Sequence, residues 1–282
     1  MFASNLKPAT SDVFERFGMR ILFIGDIVGK PGRRALEELL GRVISDHGIE
    51  FTIANGENSA GGMGITPETA MEILSQEVDV VTSGNHIWAK KEILPLLKEE
   101  KRLLRPANYP PDVPGRGAGI FEAKDGTVVG VLNLEGRVFM KNLECPFRVG
   151  EKEAETLRKD THIIIVDFHA EATSEKVALG RFLNGRVSAV CGTHTHVQTS
   201  DERVLSGGTA YITDVGMTGP LASVIGVREK IAVDRFLTQI PWKFDVATGE
   251  IELQGVVMDI NSETGKAEKI ERIRVPLNER SQ

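Results

Sequence analysis

Residues 161–168 read THIIIVDF and are followed directly by His169. The four consecutive apolar residues at 163–166 predict a strand covered on both faces, because a half-exposed strand would alternate apolar and polar residues. Similar runs occur at 20–25, 51–55, 78–84, 127–134, 186–192 and 209–216. Between several of them lie helix-like stretches, at 32–46, 67–76, 90–100 and 174–184. This alternation predicts an α/β fold in which a layered sheet is flanked by helices.

The two ends of the chain differ from this pattern. From Trp242 onward, strand-like segments separated by turn sequences at 247–250 and 262–266 predict antiparallel strands that close one side of the sheet. We expect a single domain over residues 19–282. Residues 1–18 lack the apolar segment of a signal peptide, and we expect them to form a flexible N-terminal extension.

The composition restricts the classes of function. The 282 residues carry 34 basic and 40 acidic side chains, and the net charge of −6 argues against stable binding to nucleic acid. Cys145 and Cys191 are not in a CxxC pair, which favours free thiols in a reducing cytoplasm. No apolar run reaches the ~18 residues of a membrane helix, so we expect no membrane partner. The sequence leaves the oligomeric state open, a homo-oligomer included.

Five of the predicted strands are followed by side chains that can bind a metal ion. These residues are Asp26, Glu57, Asn58, Asn85, His86, His169, His194 and His196. Because the carboxyl ends of strands in an open α/β sheet share one edge, where ligands bind, we expect these side chains to meet there.

Each of these residues also has a purely structural explanation. Asp26 and Asn85 could cap the helices that follow them, and Glu57 could belong to a turn. His169 could be an ordinary buried histidine. The GTHTH sequence at 192–196 is harder to explain in this way, since two histidines at i and i+2 of an extended segment point in the same direction. The coincidence of all these residues at one edge favours a metal site.

The residue types indicate a particular chemistry. Two divalent ions ~3.5–4 Å apart can hold a phosphate and stabilise the charge that develops when it is attacked. Two close cations need a bridging carboxylate, for which we select Glu57. Mixed nitrogen and oxygen ligands suit Fe, Mn, Zn or Co better than Ca or Mg, and the absence of a thiolate from the set argues against a structural zinc site.

Several longer motifs resemble a known family. They are GDIVGKPGR (25–33), ANGENSAGGMGIT (54–66), SGNHIW (83–88), DFHAEATSEK (167–176), GTHTHVQT (192–199) and TDVGMTGP (213–220). Together they resemble the YmdB-type branch of the calcineurin-like metallophosphoesterases, over residues 19–276. The resemblance implies a metallophosphoesterase-type sheet sandwich. It also implies hydrolysis of small phosphodiesters, such as 2′,3′-cyclic nucleotides, through attack by a metal-bridging hydroxide.

The resemblance further implies a role for each residue. Two divalent ions would be bound, the first by Asp26, Glu57, Asn58 and His196, and the second by Asn85, His169 and His194, with Glu57 as the bridge. His86 would donate a proton to the leaving alkoxide.

The chain differs from the wider superfamily at two positions. Val28 stands where the first motif usually has a histidine, and Glu57 with Asn58 stands where the second usually has an aspartate. The YmdB-type branch shares both differences, which supports the resemblance to that branch. Of the metals that suit mixed nitrogen and oxygen ligands, we expect Fe or Mn, with Zn or Co as alternatives.

Two other functions remain compatible with the sequence. The same metals could serve a phosphomonoesterase or nucleotidase. Alternatively, a regulatory protein could retain the metal site in order to bind a nucleotide or an RNA-processing partner. The presence of His86 favours an enzyme, because a sensor has no need of a proton donor.

Overall fold

A computed structural model describes residues 18–277 of the chain. Two β-sheets dominate this part. The first sheet contains seven strands: β1 (Gly18–Ile24), β2 (Asp26–Ile27), β3 (Phe51–Asn55), β4 (Val80–Thr82), β11 (Met217–Pro220), β12 (Ile251–Asn261) and β13 (Ala267–Leu277). The second contains six: β5 (Ala118–Glu122), β6 (Val128–Glu135), β7 (Ile163–His169), β8 (Ala189–Thr193), β9 (Arg203–Val204) and β10 (Ala210–Ile212).

Most of the helices pack on the outer faces of the sheets. They are α1 (Gly29–His47), α2 (Pro67–Leu74), α3 (Leu94–Glu99), α4 (Pro146–Leu157), α5 (Thr173–Phe182) and α6 (Glu229–Thr238), and a 3₁₀ turn at Lys91–Ile93 leads into α3. The predicted layered α/β sandwich flanked by helices is confirmed.

The strands that carry the predicted site residues are parallel to one another within each sheet. The first sheet has the order β2-β11-β12-β1-β3-β4, with β13 on the free side of β12, and β1, β3 and β4 are parallel. The second has the order β5-β6-β7-β8-β10-β9, in which β6, β7, β8 and β10 are parallel. The five predicted strand ends therefore belong to two sheets, rather than to one edge of a single sheet.

Alternation along the strands divides the core into three layers. In β7, Ile163 and Ile165 pack between the two sheets, whereas Ile164 and Val166 pack beneath the helices of the second sheet. Both faces of this strand are covered, which explains its continuous apolar run.

The layer between the sheets changes from apolar to polar at the carboxyl ends of the strands. At the carboxyl ends of several strands, the residues that point into this layer are buried and polar. They are Asn55, Thr82, Asn133, Glu135, Asp167, His169 and Thr193. Each is two or four residues beyond an apolar residue that faces the same layer, so alternation along the strand directs it inward. The sandwich therefore has a polar end, on which the predicted ligands lie.

The remaining differences from prediction are local. The predicted C-terminal antiparallel strands form the β12–β13 hairpin, but residues 242–246, before the turn, form no strand. The short strands β2, β5, β9 and β11 and the helices α4 and α6 were not predicted. Gly18 is already part of β1, and the rest of the predicted N-terminal extension, residues 1–17, lies outside the described residues. Within residues 18–277, no helix has both the length and the apolar character needed to cross a bilayer.

Candidate metal centre

The polar end of the sandwich brings the seven predicted ligands together. Asp26, Glu57, Asn58 and Asn85 come from loops and a short strand at the ends of β1, β3 and β4, in the first sheet. The histidines come from β7 and from the loop that follows β8, in the second sheet. The centre is therefore built between the sheets, and neither sheet alone supplies a complete set of ligands.

One group of ligands surrounds the His169 imidazole. Its Nε2 atom lies 3.0 Å from Glu57 Oε1, 3.0 Å from His194 Nδ1 and 3.1 Å from Asn85 Oδ1. The ligand atoms of Glu57, His169 and His194 all lie within 4.8 Å of one another. A carboxylate oxygen and two imidazole nitrogens at these separations form a group that could hold one divalent ion.

A second group of ligands adjoins the first through Glu57. His196 Nε2 lies 3.1 Å from the Asn58 amide nitrogen and 3.7 Å from Asp26 Oδ1. The Asn58 amide is in turn 3.5 Å from Glu57 Oε1. Glu57 therefore lies between both groups, at the position that a bridging carboxylate would require.

The hydrogen bonding of Asp26 tests whether this site fits a metal. The carboxylate is completely buried, and its Oδ2 accepts a hydrogen bond from the His194 backbone at 3.1 Å. Its Oδ1 has no hydrogen-bond partner among the described residues. Buried carboxylate oxygens are normally paired, and an unpaired one beside other ligand-type atoms is what a cation site would contain. The residues present therefore fit divalent metal ions with nitrogen and oxygen ligands.

The pKa values follow from burial and from the proximity of opposite charges. Burial raises the pKa of Asp26, although His196 and His169 act against this shift. Burial would also raise the pKa of Glu57, but His169 and His86 outweigh it and hold that pKa well below its usual range. Burial lowers the pKa of His194 to about 3, with His169 adding to the effect. Burial lowers the pKa of His169, but the Glu57 carboxylate outweighs it and raises that pKa to about 9. Without metal, Glu57 and His169 therefore form an ion pair at pH 7 and His194 is neutral, so a metal ion must displace a proton from His169 when it binds.

The loop that carries His194 and His196 does not have the predicted extended conformation. β8 ends at Thr193, and both histidines have positive φ angles, 95° for His194 and 64° for His196. Their convergence on the site therefore arises from a turn, and not from alternation along a strand. For residues other than glycine, this backbone region is sparsely populated and needs support from the surrounding structure.

A buried ion pair supplies that support. Asp214 Oδ2 accepts hydrogen bonds from the Thr195 backbone at 3.1 Å, from the Thr195 hydroxyl at 2.7 Å and from Lys176 Nζ at 2.8 Å. Lys176 and Asp214 are both buried. Sequence reasoning did not select either residue, because a lysine on a helix and an aspartate after a strand are usually exposed.

Beneath the ligands lies a network centred on Asp167, which was also not predicted. Its carboxylate accepts hydrogen bonds from the Asn55 amide at 2.9 Å, from the Thr82 hydroxyl and from the Thr193 hydroxyl at 2.7 Å. Thr193 Oγ1 is in turn 2.9 Å from His169 Nδ1 and so fixes the orientation of that ring. Asp167 precedes His169 by two residues on β7, and this spacing is the signal that could have identified it.

Gly84 allows the ligands from the two sheets to approach one another. A Cβ atom at this position would lie 2.1 Å from His169 Cδ2 and 2.4 Å from Glu57 Oε2, far inside van der Waals contact. Only glycine can therefore precede Asn85 here.

His86 lies at the more exposed side of the centre. Its side chain is 30% exposed, and its Nδ1 is 2.9 Å from Asn58 Oδ1 and 3.3 Å from Glu57 Oε1. Its backbone N–H donates to Glu57 Oε2 at 3.1 Å. The ring is therefore oriented by two predicted ligands, while part of it remains accessible to a substrate.

Known proteins resemble this chain over nearly its whole length. A 2′,3′-cyclic-nucleotide 2′-phosphodiesterase of Bacillus subtilis is 48% identical over 257 residues, which cover 91% of this chain and 97% of that protein. The crystal structure of a hypothetical protein from Thermus thermophilus is 40% identical, with a TM-score of 0.85, and the match covers 92% of this chain and 99% of the other. The structure of a novel phosphatase from Mycoplasma pneumoniae is 33% identical, with a TM-score of 0.86 and coverage of 92% and 94%.

These matches agree with the motifs and with the sandwich fold. The family described as YmdB-like protein matches residues 22–273, a range that includes all the predicted ligands. The chain belongs to the YmdB-like family.

Proposed function

We propose that this protein binds two divalent metal ions between its sheets and uses them to hydrolyse 2′,3′-cyclic nucleotides. The chain is a hydrolase of phosphodiester bonds, the class to which its 48% identical relative belongs. To this class the proposal adds a mechanism with two metal ions and a cyclic nucleotide as the substrate.

The observation that carries the proposal is the position of Glu57 between two groups of predicted ligand residues. Its Oε1 is 3.0 Å from His169 in one group and 3.5 Å from the Asn58 amide, which adjoins His196, in the other. The unpaired Oδ1 of Asp26 adds a further negative charge that a cation would neutralise.

The ligands divide between two ions. Asp26, Glu57, Asn58 and His196 would hold the first ion, and Asn85, His169 and His194 the second, with Glu57 shared. When bound, such ions lower the pKa of an attacking water and neutralise charge on the phosphoryl oxygens. Fe and Mn suit this mixed set of ligands, and so do Zn and Co.

His86 is suited to act as the proton donor. With Nδ1 donating to Asn58 Oδ1, a protonated ring keeps its Nε2 proton for the leaving alkoxide. General acid catalysis of this kind contributes roughly 10²–10⁴-fold to the rate.

Two alternatives are outcomes of the same experiment. The Mycoplasma pneumoniae relative is described as a phosphatase, so hydrolysis of monoesters is the second candidate activity. A nucleotide- or partner-binding protein that retains its metals is the third candidate.

The test uses metal-stripped protein to which Mn²⁺ or Fe²⁺ is added back. Hydrolysis of bis-p-nitrophenyl phosphate, adenosine 2′,3′-cyclic phosphate and adenosine 3′-phosphate is measured together with metal content. We expect both diesters to be hydrolysed, the cyclic one to adenosine 3′-phosphate, and Glu57→Ala to lose both activity and bound metal. Glu37→Ala, at an exposed position of α1, is the matched control.

A His86→Ala variant separates catalysis from binding. It should keep its metals and lose more activity on the cyclic nucleotide than on the nitrophenyl ester, because nitrophenolate leaves without help from an acid. The exposed His162→Ala is its control. Stoichiometric metal binding without turnover of any diester would overturn the proposed activity and favour the binding protein.

A further inference from the structure

The loop that follows β6 lies directly beside the metal centre. Glu135, the last residue of β6, pairs with His169, and the next residue, Gly136, donates its N–H to the His169 carbonyl at 2.9 Å. Residues 137–139, here called the rim loop, are then all exposed. Three residues span at most roughly 10 Å, so the rim loop remains close to the ligand His169.

A buried carboxylate fixes the backbone of the rim loop. Glu175 is only 8% exposed, and its two oxygens accept hydrogen bonds from the backbone N–H groups of Arg137 and Val138, at 3.0–3.1 Å. A Cβ at Gly136 would lie 2.6 Å from the Ala170 side chain and 2.7 Å from Glu175 Oε2, so this close approach requires glycine. The loop is thus held rigidly at the edge of the site.

The rim loop presents an aromatic ring to solvent at an energetic cost. Phe139 is 90% exposed and has a φ angle of 61°, a backbone region that bulky residues rarely occupy. Burial of the ring does not offset this strain, which is of order 1–3 kcal/mol. Strain of this kind concentrates at ligand-binding sites, where the surrounding structure maintains it.

The same loop presents an unpaired positive charge. Within residues 18–277, the Arg137 guanidinium makes no hydrogen bond or ion pair. What distinguishes Arg137 from the other exposed basic residues is its place, on a loop that adjoins the ligand His169. A planar guanidinium binds phosphate through two parallel hydrogen bonds.

We infer that the rim loop recognises the terminal nucleotide of an RNA fragment, with its base stacked on Phe139 and a second phosphate bound by Arg137. The substrate would then be an oligonucleotide that ends in a 2′,3′-cyclic phosphate, in preference to a free cyclic mononucleotide. This inference rests on the proposed function and adds a substrate class to it. Contact with a single terminal nucleotide needs no extended basic surface, which agrees with the negative net charge.

Four substrates separate the two contacts. Ribose 2′,3′-cyclic phosphate has neither a base nor a second phosphate, and adenosine 2′,3′-cyclic phosphate adds the base. Its 5′-phosphorylated form adds a terminal phosphate, and a dinucleotide with a 2′,3′-cyclic end supplies the phosphate as an internucleotide diester. The holoenzyme should show kcat/KM rising along this series.

The variants test each contact separately. Phe139→Ala should lower kcat/KM by about tenfold or more for every substrate that has a base, as expected for loss of base stacking, and leave the abasic compound unchanged. Arg137→Ala should lower kcat/KM only for the two substrates with a second phosphate. It should also weaken the dependence of kcat/KM on salt concentration for these two substrates. Phe236→Ala, 74% exposed on α6, and the exposed Arg42→Ala are matched controls with no expected effect.

The possible outcomes are distinguishable. If the wild type hydrolyses none of the four compounds, the proposed function fails. If the wild type hydrolyses the compounds and both variants have wild-type activity, the rim loop does not recognise nucleotides. The same conclusion follows if both variants lose as much activity on the abasic compound as on the other substrates. If Arg137→Ala lowers kcat/KM for the dinucleotide alone, Arg137 binds the internucleotide phosphate. If it lowers kcat/KM equally for the 5′-phosphorylated mononucleotide, a terminal phosphate is sufficient for binding to Arg137.

Discussion

Asp26 and Asp167 are both completely buried near the polar end of the sandwich, but their hydrogen bonding differs. Asp167 accepts hydrogen bonds from Asn55, Thr82 and Thr193. Asp26 accepts one, from the His194 backbone, and its Oδ1 has no partner among the described residues. Burial raises the pKa of both groups, so burial alone does not distinguish them.

The difference separates a ligand layer from a support layer. In the support layer, formed by the Asp167 network and the Lys176–Asp214 pair, the protein itself satisfies the buried charges. In the ligand layer, charges and lone pairs remain available for an incoming ion. An unpaired carboxylate lowers the stability of the metal-free protein and favours the state with metal bound.

Among substitutions in the support layer, we expect Lys176→Met to lower the stability of the protein most. Lys176→Met leaves Asp214 buried without its cationic partner, and loss of one member of such a pair destabilises by about 3–5 kcal/mol. Urea unfolding of the metal-stripped protein measures the change. Lys230→Met, whose side chain is 85% exposed and paired with Asp234, should have little effect. Equal effects of the two substitutions would contradict the structural role of Lys176.

In the ligand layer, we expect substitution of Asp26 to cause a large loss of activity. Asp26→Ala removes a proposed ligand and should lower kcat/KM by more than about 10²-fold, since loss of an outer-shell partner alone costs 10–100-fold. Metal content measured on the same preparation should fall in parallel. The exposed Asp46→Ala serves as the control. Full metal content and activity in Asp26→Ala would remove this residue from the ligand set.

Asp167→Ala should act on both stability and metal binding. Three buried donors lose their acceptor, which destabilises by about 1–3 kcal/mol. The orientation of His169 through Thr193 is also lost, so metal affinity should fall roughly 10–100-fold. Unfolding experiments with and without added Mn²⁺ measure both effects, and an unchanged metal affinity would show that Asp167 supports the fold alone.

The smallest effect is expected for Asp26→Ala in metal-stripped protein. Only one backbone donor loses its hydrogen-bond partner, and removal of a buried carboxylate oxygen that accepts no hydrogen bond offsets that loss, so the stability should change by less than about 1 kcal/mol. A loss as large as that of Asp167→Ala would show that the two layers are not different.

Much of the fold was predictable because its signals are local. The apolar runs at 161–168 and 51–55 became buried strands, and the helix-like stretches at 32–46 and 67–76 became α1 and α2. Strands β5 and β9 were missed because they are short and largely exposed, and so carry little apolar signal.

The residue types of the site could be predicted from the sequence, but the backbone conformation and the contacts that position them could not. Ligand-type residues after buried strands identified Asp26, Glu57 and His169. Nothing in the sequence around His194 indicated its positive φ angle, because Asp214 and Lys176, which hold that loop, are distant along the chain.

The sequence by itself therefore determined the long buried strands, several of the helices and the chemical character of the site, since these depend on neighbouring residues. Only the tertiary structure decided that two sheets share the ligands, that Glu57 lies between both groups, and that Asp167 is satisfied while Asp26 is not. The physical reason is that hydrogen bonds, burial and charge pairing at this site join residues far apart in the chain, such as His194 and Asp26, which are 168 positions apart.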